Sequence, residues 1–465
     1  MKLIKKITAC ICCLMAVLTT SCQKYLDKKP YTALIIPKTL DDYTRLLDNY
    51  ELMNSTSNLG EISSDNFYLA NRSALEALVL VYQRSAYLFK PDFEESSYGI
   101  LDWSSAYQQV FIANVVLDGL NGVQRNDINA FQWDFVKGWA LFCRSYAFFN
   151  LAQLFAPVYD PSSAETDLGI PLRLSPNVDQ SYGRATLKLT YTQLIKDFAL
   201  SADLLPAGLP SKLRGRPCKE AAYAALSRVY LAMRDYGYAG TYAEKSLALT
   251  DQLLNYNDLA TQSTPFYIDY NNPETICQSA LGINDPIFYA AGGSPNTLID
   301  STLYDSYLPD DLRKDFYYTP SYAYPGKANN NLSYGGYDNF GGFAMDELYL
   351  IRSECLIRNN QVEEGIGLLN KLLITRFRTG KYMPYQITDQ SSALNTVLAE
   401  RRKELAFRGL RWQDLRRLNK EGFHITVSRQ LDGTVYQLPP NSNLYTLPIP
   451  GEEIRLNHLV QNPRP

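Results

Sequence analysis

The series Ala222, Ala225, Leu226, Val229, Tyr230 and Met233 restricts the fold of this chain more than any other stretch. Apolar residues recurring three, four, seven, eight and eleven places apart lie on one stripe of an α-helix and on no single face of a strand. A turn at Asp235 to Gly237 follows, and Ala239, Tyr242, Ala243, Leu247 and Leu254 line a second helix. Helix pairs with small residues at the close contacts, repeating at roughly 34 residues, mark tetratricopeptide units. A further pair is predicted through Leu348, Ile351 and Cys355, a turn at Asn359-Asn360, and then Val362, Ile366, Leu369 and Leu373.

Nearer the N-terminus, Tyr107, Val110, Phe111, Asn114 and Leu117 form one stripe, ending at Asn121-Gly122. Phe135, Trp139, Phe142, Tyr146 and Phe149 form the next, joined by a short polar connection as antiparallel neighbours are. Thr39, with Asp42 three residues on, has the spacing of a capping box and opens a helix with Leu40, Tyr43, Leu47 and Tyr50 on its buried face. Long irregular insertions separate these pairs, so one uninterrupted solenoid is not expected. The predicted class is mostly α: tetratricopeptide-like helix pairs at about 105–255 and 344–420, with loop-rich segments at about 60–103 and 260–343.

Lys2, Lys5 and Lys6 precede an apolar run from Ile7 to Leu18, too short to span a bilayer and suited to a secretory signal. Small residues Thr19, Thr20 and Ser21 then lead into Cys22. This segment resembles a bacterial lipoprotein signal, which implies removal of residues 1–21 and lipidation of Cys22, although Leu18 lies one place further from the cysteine than is usual. Several acyl chains, each methylene contributing ~0.8 kcal/mol on burial, would anchor the mature protein stably. Cys143, Cys218, Cys277 and Cys355 remain, far apart and without a CxxC, and are expected as buried free thiols. The full sequence has 46% hydrophobic and 20% charged residues, so the mature chain, 22–465, is expected to be one globular domain, and the full sequence's net charge of -3 argues against nucleic acid.

A helix carrying Leu394, Val397, Leu398 and Leu405 on one stripe runs into the segment Ala399 to Leu418, which breaks at Gly409 and resumes with a second stripe of Trp412, Leu415 and Leu418. Glu400 and Glu404 among Arg401, Arg402 and Lys403 read as a structural charge network. Glu400-Arg401, Glu404-Leu405, Gly409, Arg411-Trp412 and Asp414 to Arg417 resemble the ER-x-x-EL-x-x-EG-x-RW-x-DLRR pattern of the SusD-like (RagB/SusD) nutrient-binding lipoproteins. Arg408 replaces the usual Glu. The resemblance extends through Tyr25-Leu26-Asp27, Ser64-Asp65-Asn66-Phe67, Trp103, Tyr107, Ala113-Asn114, Gly169 to Leu172 and the closing Leu447-Pro448-Ile449-Pro450 to Gln461-Asn462-Pro463. It implies a SusD-like α-α superhelix on the cell outer membrane, surface-exposed, delivering a glycan or peptide to a SusC-like TonB-dependent transporter.

The chain has 35 tyrosines. A ring with a polar tip serves both cores and solvated binding surfaces. One aromatic tract runs through Tyr82, Tyr87, Phe89, Phe93, Tyr98 and Trp103, the last expected in the core. A denser one, Tyr304 to Phe343, is interleaved with Asn, Asp, Gly and Pro and reads as loop. The expected ligand-binding residues are Tyr304, Tyr307, Tyr322, Tyr324, Tyr334, Tyr337 and Phe340, with Tyr98 and Phe67. No cofactor or metal is expected, and Asp310, Asp311 and Asp315 read as an exposed acidic turn. No GxSxG, HExxH or phosphate loop occurs, so the chain is expected to be no enzyme. A surface glycoside hydrolase and a protein-binding helical-repeat adaptor are the alternatives.

Overall fold

The computed structural model of the chain describes residues 37–94, 99–209, 215–260, 272–282, 297–321, 323–329 and 338–465. Thr39–Pro465 packs as one compact unit, distinct from Met1–Lys38. Among the described residues, ten helices have eight residues or more: α1 Leu40–Leu47, α2 Leu101–Gly119, α3 Ala130–Phe155, α4 Leu187–Leu204, α5 Lys219–Met233, α6 Tyr236–Leu247, α7 Met345–Arg358, α8 Val362–Leu373, α9 Gln390–Glu404 and α10 Arg411–Lys420.

From α2 to α8 each helix packs on the next. The helix pairs and the long insertions between them are as expected. Across the insertion the helix row continues from α6 to α7, Gly240 of α6 sitting so close that an added Cβ would meet the Cys355 Cβ of α7 at 2.9 Å. The two predicted pairs use one device. Ser227 Oγ donates to the Ala239 carbonyl at 2.9 Å and Ser353 Oγ to the Gly365 carbonyl at 2.7 Å, each across twelve residues. A helix-interior serine is free to bond a neighbouring backbone only where small residues let the helices touch. Arg234 ends α5 in the left-handed region, and Asp235 caps α6 by accepting from the Tyr238 amide.

Three stripes are shorter than predicted. α1 carries the capping box of Thr39 and Asp42 but ends at Leu47; Tyr50 opens a separate short helix and is 37% exposed. α6 ends before Leu254, and Phe111 faces outward on α2. The Tyr304 to Phe343 tract also holds more regular structure than a loop: a helix at Leu312–Tyr317 and paired strands Tyr318–Pro320 and Lys327–Asn329. All four cysteines are buried and free.

Buried ion pairs fasten the C-terminal helices to the rest. Arg313, fully buried, reaches Asp311, Glu400 and Glu404; Glu404 also accepts from Arg376, which in turn holds Glu274. Arg401 and Arg417 share Asp414, and Arg417 pairs with Glu354. Such pairs are weak evidence for net stability, but each becomes costly to break once buried. Arg408, the departure from the family pattern, places both Asp346 oxygens at 2.7 and 2.9 Å from its Nη1 and stacks over Phe340. Arg416 donates to the carbonyls of Gln153 and Ala156, capping the C-terminus of α3.

Candidate functional site

The N-terminal residues Ser55–Thr56 form the edge of a small sheet, parallel to Ala280–Leu281, which pairs antiparallel with Asn339–Phe340. Polar side chains from the helices hold this edge in place. Gln109 of α2 donates to the carbonyls of Leu52 and Ser55 at 2.6 and 2.8 Å. Asp102, in the first turn of α2, accepts from the amides of Asn58 and Leu59 at 3.0 and 3.1 Å. Thr56 Oγ1 meets Ser279 Oγ at 2.6 Å, and Gly282 donates its amide to the Thr56 carbonyl.

Between this edge and α2 opens a cleft of about 400 Å³. Ser55, Thr56, Ser57, Asn58, Gln83, Ser105 and Gln109 give it hydroxyls and carboxamides; Val79, Leu80, Leu101 and Ala106 give it apolar wall, with Val79 and Leu101 exposed at the rim. Pockets that combine apolar wall with a few convergent polar groups are the usual form of a small-ligand site. Asn150 of α3 also lines the cleft. It is 7% exposed, and its carboxamide has no hydrogen-bond partner among the described residues. An adjoining space of about 20 Å³ shares Thr56, Ser57 and Asn150 with the cleft and reaches Arg228, Arg408 and Trp412.

Charge near the cleft is quiet. Asp102 is the one charged residue among the described lining residues. The two guanidiniums of the adjoining space are each held by a buried carboxylate, Arg228 by Glu347 and Arg408 by Asp346. Just outside, burial pushes the Glu61 carboxyl up to about 7 despite hydrogen bonds from Asn66, Gly409 and Ser64. Burial would raise Asp65 as well, but Arg411, paired with it at 2.6 and 2.8 Å, and Arg402 hold it well below the ordinary carboxylate range.

Those of the sequence-predicted ligand residues that the structure describes lie elsewhere. Phe67 is 1% exposed and packs on Tyr87, Phe407 and Arg429, so its ring meets core and not solvent. Tyr307 is 2% exposed, its hydroxyl bonded to the Lys403 carbonyl and Tyr318. Phe340 is buried beneath Arg408. These three are corrected to core residues: a buried ring offers no face to a ligand. Tyr304 and Tyr324 are half-buried, Tyr304 under the ammonium groups of Lys314 and Lys327. Neither lines the cleft. Tyr98, Tyr322, Tyr334, Tyr337 and Cys22, with the signal segment, lie outside the described residues. Of the acidic turn, Asp315 is exposed as expected and pairs with Arg378, while Asp311 is corrected to a buried partner of Arg313. Trp103, as expected, is in the core. Asn150 and Gln109 went unnoticed in sequence, though each is a carboxamide set within an apolar helical run.

Two family models match the chain, a SusD-like model described as starch-binding and associating with outer membrane over residues 24–231, and the SusD family model over residues 267–464. SusD-like protein P2 of Formosa agariphila is 25% identical over 423 residues, covering 77% of this chain and 79% of that protein. A SusD superfamily protein from Bacteroides thetaiotaomicron superposes with a TM-score of 0.72 at 20% identity, over 92% of this chain and 100% of that one. A laminarin-binding SusD-like protein superposes with a TM-score of 0.66 at 20% identity, over 91% and 98%.

Proposed function

Because this chain belongs to the SusD family, matched by its models at both ends, we propose that it captures an oligosaccharide in the cleft between Ser55–Asn58 and α2. In this reading the protein is tethered to the outer membrane through Cys22 and passes its ligand to a SusC-like TonB-dependent transporter. The observation that carries the proposal is the lining: hydroxyls, carboxamides and the unpartnered Asn150 over a short apolar wall. Sugar hydroxyls both donate and accept, as these groups do, and sugar C–H faces suit the wall.

Capture is favoured over cleavage at this cleft. Glycoside hydrolysis ordinarily takes two carboxylates, one on each side of the scissile bond. Among the described lining residues only Asp102 has one, and its Oδ1 is engaged by two backbone amides. Titration calorimetry of the full-length protein in detergent against a panel of oligosaccharides tests the proposal. Ser105→Trp, which fills the cleft from α2, is expected to abolish binding at an unchanged Tm. Full affinity in that variant would remove the cleft from the proposal.

A further inference from the structure

We infer that the cleft selects uncharged sugar chains and rejects those bearing carboxylate or sulfate groups, an inference that rests on the cleft being the glycan site. A bound anion gives up water and needs a cation or several converging amides in exchange. The described lining residues contain no Lys or Arg. The nearest guanidinium in sequence to the apolar wall, Arg84, is occupied with the carbonyls of Glu76 and Leu78. Arg228 and Arg408, in the adjoining space, are committed to Glu347 and Asp346.

What the cleft does offer is one negative charge and a set of neutral groups. Asp102 would repel an incoming anion across a partly desolvated gap, where charges interact more strongly than in bulk water. Asn150 presents a donor and an acceptor side by side, and a neutral hydroxyl can answer both. A carboxylate or sulfate only accepts, so it would leave the Asn150 carbonyl oxygen unanswered. Thr56, Ser57 and Ser105 have the same two-way character.

The test is a set of neutral oligosaccharides, each compared with its chemically sulfated or uronate counterpart of equal length, titrated into full-length protein in detergent. The expected result is that at least one neutral chain binds and its charged counterpart binds at least about tenfold more weakly. Charged counterparts that bind equally or better, and are displaced by Ser105→Trp, overturn the selectivity while leaving the cleft as the site. Failure of every neutral and charged chain overturns the reading on which the selectivity rests. Ser105→Lys, which adds a cation beside the wall, is expected to narrow the gap between the two classes. If that variant keeps its neutral ligand and rejects the charged one by the same factor, charge is not the cause of exclusion and the inference fails.

Discussion

Arg417 and Glu354 meet arm to arm, Nη1 on Oε1 at 2.6 Å and Nη2 on Oε2 at 2.8 Å, with both side chains at 1% exposure or less. They join α10 to α7, so a family-pattern arginine from the last helix fastens directly onto the repeat scaffold. Removing one partner leaves a buried charge with less to answer it. Arg417→Met is expected to cost about 3–5 kcal/mol, read as a lower urea midpoint. An unchanged midpoint would mean that Arg358, which also reaches Glu354, suffices alone.

Gly365 and Gly367 lie two residues apart on α8 and face different surroundings. A Cβ on Gly365 would meet Ile357 at 2.6 Å and the Ser353 carbonyl at 2.9 Å, while one on Gly367 meets nothing within 4 Å. Gly365→Ala is therefore expected to lose about 1–3 kcal/mol through overpacking. Gly367→Ala should gain up to about 1 kcal/mol from helix propensity. Equal Tm shifts in the two variants would contradict the close approach of α7 and α8.

Glu61 provides a pH signature. Its carboxyl, raised to about 7 from an ordinary 4.5, keeps a proton that the unfolded chain has released. Across that interval folding takes up a proton, so this group's contribution to stability is full at acid pH and falls as pH rises from about 4.5 to about 7. Chemical denaturation of the native protein and Glu61→Gln, at several pH values, should give a difference curve that slopes within this window and flattens above it. A flat difference curve would show that Glu61 titrates normally.

Tyr307→Phe separates core from ligand surface. It deletes a hydroxyl bonded to the Lys403 carbonyl at 2.7 Å and Tyr318 at 2.8 Å. A loss of about 1 kcal/mol in stability is expected, with glycan affinity unaltered. Weakened binding at full stability would return this ring to the ligand surface.

Cys22→Ala is expected to move the protein from the membrane fraction to the soluble one, followed by immunoblotting of fractionated cells. Continued membrane association in the variant would argue against a lipid anchor at this residue.

Helical periodicity exposed the scaffold because burial of a helix imposes a short-range pattern. The stripes of α5, α7 and α8 hold to the predicted residues, and Asp42 completes its capping box. Within the charge network around Glu400 the local pair Lys403–Glu400 was legible for the same reason, whereas Glu404 finds Arg313 and Arg376 far off in the chain. Pairs such as Arg417–Glu354 or Arg408–Asp346 were not, because their partners lie 63 and 62 residues away. Aromatic density proved a poor guide to exposure: Tyr307 and Tyr318 face one another's hydroxyls inside the protein. The cleft escaped notice because its groups come from distant segments, with Gln109 and Asn150 each looking in isolation like a stray polar residue on a buried helix.

The edge at Ser55–Thr56 is paired with Ala280–Leu281, and the residues just after it are gripped from much further on: Asp65 by Arg411, the carbonyls of Ile62, Ser64 and Phe67 by Arg429. A ribosome halfway through this message has therefore released the α2 groups Gln109 and Asp102 that hold this edge, but not Ala280–Leu281, Arg411 or Arg429. Closing such long loops is slow and comes late in assembly. The segment 55–67 is consequently fastened in full only once Arg429 has been made, and versions shortened before that residue would lack part of its support.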